Sequence, residues 1–117
     1  MQTLKKIFKE QSDFQHLFYT PKGLTFEQKI SLSKEYILSA HRELGEALNE
    51  LPWKSHRKYK KKHIQMPHFR EELIDVIKFV LNLYVIWEIS PENFAEDFFK
   101  KSKKVRKRHN KEKSITS

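Results

Sequence analysis

The sequence predicts an all-α chain, and three observations carry that prediction. Only two glycines and four prolines punctuate 117 residues, so the intervals between them are of helix length. Within those intervals apolar residues recur at spacings of three and four, with no strand-like alternation and no internal repeat. Two helix-start signatures, Thr25-Phe-Glu-Gln28 and Ser90-Pro91, stand where such intervals begin.

The first helix is expected from about Thr3 to Tyr19, on the stripe Leu4, Ile7, Phe8, Gln11, Phe14, Gln15 and Phe18. Thr20-Pro21-Lys22-Gly23 stops it. Thr25 opens the second, which continues to about Leu51 before Pro52. A polar and basic loop fills the stretch from Pro52 to Pro67, and the third helix follows to about Glu88. Ser90 as N-cap and Pro91 in the first turn begin the fourth, which carries Phe94, Phe98 and Phe99. The expected organisation is one helical domain over 1–109 and a frayed or disordered basic tail over 110–117.

A chain of this length supports one modest core and is short for burying an active site alone, which favours a partner subunit. The absence of cysteine excludes disulfides and thiolate metal sites. The N-terminal Met1-Gln-Thr-Leu-Lys-Lys6 has no apolar stretch like that of a secretory signal, so the expected location is the cytoplasm. The most apolar run, Leu73 to Trp87, is interrupted by Asp75, Lys78 and Asn82 and is too short for a bilayer, so no membrane partner is expected.

The net charge of +9 is largely terminal. Residues 100–113 hold nine Lys or Arg against Glu112 alone, which leaves the rest of the chain nearly neutral. A second basic cluster, Lys54, Arg57, Lys58, Lys60, Lys61 and Lys62, lies beside acidic helices. Such a layout suits an anionic ligand held through metal ions as well as it suits RNA.

The third helix is the informative one. At 100° per residue, Glu71, Asp75, Lys78 and Asn82 share one narrow sector of an otherwise apolar rod, and Glu72 stands one turn before Asp75. The stripe faces either a buried polar site or a strip of solvent, and the apolar character of the other faces favours burial. On the second helix Glu43 borders the apolar stripe of Ile37, Ala40, Leu44, Ala47, Leu48 and Leu51, while Glu46 and Glu50 turn further out. Glu-x-x-Glu at 43 and 46 and Glu-x-x-Asp at 72 and 75 each project two carboxylates from one helical face. Two such pairs facing each other make an oxygen-rich cage. Its mutual repulsion calls for a hard cation, magnesium or manganese, and such ions commonly share their coordination with a nucleotide polyphosphate.

The connecting loop adds Trp53, as a face for a base or as a plug at the helix end, and Lys54 for phosphate. His56, His63 and His68 lack zinc-like spacing, and no glycine-rich phosphate loop or nucleophile elbow occurs.

With these residues laid out, the chain resembles the all-α nucleotide pyrophosphohydrolases, the superfamily of MazG-like enzymes and dimeric dUTPases. The resemblance spans nearly the whole chain. It rests on His41-Arg-Glu-Leu-Gly-Glu46 followed, after a connecting segment, by Arg70-Glu-Glu-Leu-Ile-Asp75, with Leu51-Pro-Trp-Lys-Ser-His-Arg57 and Asp75-Val-Ile-Lys-Phe-Val80 similar to the dUTPase-like branch. It implies a four-helix subunit of a helical-bundle homodimer or higher oligomer. It also implies magnesium-dependent hydrolysis of a nucleoside triphosphate, dUTP first, to the monophosphate and pyrophosphate, with Glu43, Glu46, Glu72 and Asp75 as metal-binding catalytic residues. Gln11 is then the base reader, or else a surface glutamine, and Trp53, Lys54, Lys78 and Asn82 line the nucleotide pocket. Where relatives carry an asparagine and an arginine toward the C-terminus, this chain has Arg106 in place of the asparagine, leaving Arg108 as the phosphate contact. The chain is also shorter than a typical dimeric dUTPase. Two rival readings remain: a dCTP or broad-specificity pyrophosphatase of the same fold, and a non-catalytic protein that grips nucleic acid through the basic tail, nucleic acid otherwise not being expected as the main partner.

Overall fold

A computed structural model describes residues 1–52 and 64–116, and among them every regular element is helical. Four α-helices follow one another: α1 (Gln2–Gln15), α2 (Phe26–Asn49), α3 (Met66–Ile86) and α4 (Pro91–Thr116), with a 3-10 turn at Pro21–Gly23 between the first two. This is the all-α subunit that the sequence predicts.

Local chemistry accounts for most of the boundaries. Thr25 closes a complete capping box: its hydroxyl accepts from the Gln28 N–H, and the Gln28 side chain accepts from the Thr25 N–H. Ser90 accepts from the Asn93 N–H at 3.1 Å and starts α4 with Pro91 in its first turn. α3 starts with Pro67 in its first turn. It ends with the N–H of Ile89 on the carbonyl of Tyr84 and that of Glu88 on Val85, with Glu88 between them at φ 53°. That pair of bonds is a Schellman closure, with a glutamate in the left-handed position that glycine usually takes.

Two boundaries differ from expectation. α1 ends at Gln15, and residues 16–18 tighten into turns whose N–H groups reach back to Ser12, Phe14 and Gln15. At the other terminus α4 runs through the basic segment to Thr116, past the point where fraying is expected. No proline or glycine follows Pro91, and lysine and arginine are good helix formers.

α2 and α3 are the principal packed pair and run antiparallel. Trp87 at the end of α3 meets Phe26 and donates to Ser33 Oγ at 2.9 Å, Tyr36 lies against Phe79, and the C-terminal part of α2 meets the start of α3. α1 packs on α3, and Phe8, Tyr84 and Phe94 tie α1, α3 and α4 into one aromatic cluster with ring centroids 5.3 to 5.9 Å apart. Lys5 on α1 also pairs with Glu92 on α4 at 3.2 Å; together with the first-turn amide that Glu92 accepts from, it holds that carboxyl below the usual range.

The buried core is small: Phe8, Ala47, Leu81, Val85 and Ile86. Many large apolar side chains stay exposed in the single chain, among them Leu44 and Leu48 on α2 and Leu73, Ile74 and Ile77 on α3. The Cα radius of gyration, 18.5 Å, exceeds the roughly 13 Å expected of a compact domain of this length. Among the described residues no helix is long and apolar enough to cross a membrane.

Candidate active site

Antiparallel packing brings the last two turns of α2 against the second turn of α3, and with them three acids. Oxygens of Glu43, Glu46 and Glu72 all lie within 4.8 Å of one another. The placement is costly. Glu43 and Glu46 sit toward the C-terminal, negative end of α2, whose last turn carries no basic residue. Among the described residues the cluster has one compensating ion pair, a loose one, with Arg42 Nε at 3.9 Å from Glu43 Oε1.

Glu72 concentrates the strain. Its Oε2 is shut off from solvent and receives no hydrogen bond among the described residues. A proton shared with Glu43, burial, and the charge and hydrogen bonding of Glu46 together raise its carboxyl from 4.5 to about 7. Buried carboxylate oxygens are ordinarily satisfied, so an orphan in a three-carboxylate cluster is a vacancy in the bonding scheme of the described residues. Hard oxygen donors converging on one point fit a divalent cation, which would supply the missing partner to Glu72 and screen the repulsion.

The remaining predicted residues divide. Asp75 is exposed and is not among the converging acids; it borders a shallow hollow with Pro67, Arg70, Glu71 and Ile74. The expected single polar stripe along α3 is therefore split, and this corrects the inference of burial: Glu71, Asp75 and Lys78 face solvent, whereas Asn82 is buried at 4% exposure. The reason is that α1 covers only the C-terminal half of the stripe. Gln11 of α1, 5% exposed, donates from its amide to Asn82 Oδ1 at 2.6 Å, so it is not a surface glutamine. Arg108 is exposed on α4. Trp53 and Lys54, with the rest of the basic cluster up to Lys62, lie outside the described residues.

Beside Gln11 is a second buried amide that the sequence marked only as part of the α1 stripe. Gln15 Oε1 accepts from the Tyr36 hydroxyl at 3.0 Å, and Tyr36 meets the Tyr19 hydroxyl at 3.2 Å. Burial and that contact hold the Tyr19 phenol above its usual range. Two glutamines four residues apart on an apolar stripe were the available signal. A separate cleft of about 630 Å³ lies at the C-terminal end of α3, over Phe8, Pro21, Tyr84 and Val85, and contains none of the clustered acids.

A family model described as dUTPase matches residues 3–116, nearly the whole chain and both acidic helices. Comparison with curated proteins and with solved structures yields no match. The four-helix architecture fits the all-α superfamily of MazG-like and dimeric dUTPase-like proteins. The chain belongs to the dUTPase family so matched, and it is a nucleotide diphosphohydrolase.

Proposed function

We propose that this enzyme hydrolyses dUTP to dUMP and pyrophosphate with magnesium, or manganese in its place, held by Glu43, Glu46, Glu72 and Asp75. The orphaned Oε2 of Glu72 inside the three-acid cluster carries the reading: once the shared proton leaves, no donor among the described residues balances that oxygen, and a cation would. A divalent cation there supplies Lewis-acid activation of water and phosphate. Asp75, one turn beyond Glu72, completes the donor set from the rim.

The other residues bind and orient. Exposed Lys78, about 9 Å along α3 from Glu72 by helical rise, offers its ammonium to the polyphosphate, and Arg108 adds a guanidinium. The Asn82 amide, further along α3, and the Gln11 amide that meets it from α1 provide donors and acceptors for the base edge, with Trp53 and Lys54 closing the nucleotide pocket. The exposed leucines and isoleucines of α2 and α3 support assembly as a homodimer or higher oligomer.

Pyrophosphate release from a panel of deoxynucleoside and ribonucleoside triphosphates, with magnesium and with chelator, tests the proposal. The expected result is magnesium-dependent release, fastest with dUTP and lost in Glu46→Gln. Full turnover in that variant sinks the metal assignment, and faster release from dCTP sinks the choice of base.

A further inference from the structure

The reading above gives a role to Arg108 alone among the basic residues of 100–113, the largest charge on the molecule. Residues 100–113 are part of the unbroken helix α4. At 100° per residue, Lys100, Lys101, Lys103, Lys104, Lys107, Arg108 and Lys111 fall within a sector of about 160°. All seven are exposed, and no acid interrupts the sector between its first and last lysine. About 120–180° from the sector's centre lie Phe98, Ser102 and Val105, with Phe94 flanking the sector at about 100°. Phe94 packs on Phe8 and Tyr84, so the cationic sector is turned away from the body of the subunit.

We infer that this face of α4 is a docking surface for the phosphate backbone of nucleic acid, independent of the acidic site. The run from Lys100 to Lys111 spans about 17 Å at helical rise. Duplex DNA carries one negative charge per about 1.7 Å of axis, so the run lies against roughly ten phosphates. Chemistry disfavours a membrane as the occupant: between residues 100 and 113 Val105 is the one large apolar side chain, too little to enter an acyl layer. With lysines dominating and no aromatic side chain in the sector, the surface reads the backbone and not the base sequence.

The test is fluorescence anisotropy of the full chain with a labelled duplex of about 30 base pairs, in the presence of chelator so that the acidic cluster takes no part. Affinity is expected to fall about a thousandfold between 50 and 200 mM salt, and to be insensitive to sequence. Replacing Lys100, Lys103, Lys104 and Lys107 together by Gln should lower the log-log salt slope by about three to four with no loss of helicity by circular dichroism. A charge-matched pair sharpens the reading. Lys104→Gln, inside the sector, should weaken binding severalfold more than Arg106→Gln, which lies outside it. The proposal is overturned if the duplex does not bind at low salt, if those two single variants weaken binding equally, or if vesicles of phosphatidylcholine and phosphatidylserine bind more tightly than DNA. Because no turnover is measured, failure here leaves the hydrolase proposal standing, and the reverse also holds.

Discussion

At the end of the α2–α3 pair where α3 finishes, polar side chains that enter the core have found partners: Asn82 with Gln11, Trp87 with Ser33, and Gln15 with Tyr36. At the end where α3 begins, Glu43, Glu46 and Glu72 crowd together, and one buried oxygen has no donor among the described residues. The difference follows α1, which covers the end where α3 finishes and supplies Gln11 and Gln15 there. The carboxylates lack a partner among the described residues, whereas the Gln11 and Asn82 amides hold each other in place with bonding capacity left over.

The contrast can be broken by mutation, and the largest effect belongs to the acids. Glu72→Gln is expected to lower pyrophosphate release by about a hundredfold or more, while leaving the metal-free protein folded. Magnesium at about a hundred times its Kd should stabilise the wild type by about 2.7 kcal/mol in thermal or urea unfolding, and Glu72→Gln should abolish that gain. A variant that kept both would place the chemistry elsewhere.

At the satisfied end the expected effect is on stability alone in the metal-free protein. Asn82→Ala leaves the Gln11 amide unpaired in the interior and should cost about 1–3 kcal/mol in urea denaturation. Glu88→Gly relieves the left-handed residue of the Schellman closure and should add about 1 kcal/mol by the same measurement.

The smallest effect is the dependence on pH. In the folded, metal-free protein Glu72 keeps its proton to about 7, against an ordinary 4.5. The folded form therefore binds more protons than the unfolded one between those values, and this carboxyl lowers stability as pH rises through that window. Midpoints of thermal unfolding recorded across it should fall less steeply for Glu72→Gln than for the wild type.

Much of this was legible in the sequence because it is local. The Thr25–Gln28 capping box and the Ser90 cap formed as their side chains dictate, and the two carboxylate pairs lie on adjoining helices. What periodicity does not carry is which neighbour covers which half of a face. The polar stripe of α3 reads as continuous, yet α1 reaches Asn82 and leaves Asp75 and Lys78 in water. Gln11 was recognisable as a candidate polar group, but its pairing with Asn82 depends on a contact 71 residues away in the chain. α1 ends at Gln15, where turns at 16–18 lead toward the buried Pro21.

The cationic sector of α4 has a consequence for the helix itself. Lys100 with Lys104, Lys103 with Lys107, Lys104 with Arg108, and Lys107 with Lys111 are like charges one turn apart, each opposing helix formation by a few tenths of a kcal/mol. Beyond Phe98 little packing offsets that repulsion, so the outer half of α4 behaves as a spring set by ionic strength: counterions or a polyanion relax it toward the helix, and dilution loads it toward the coil.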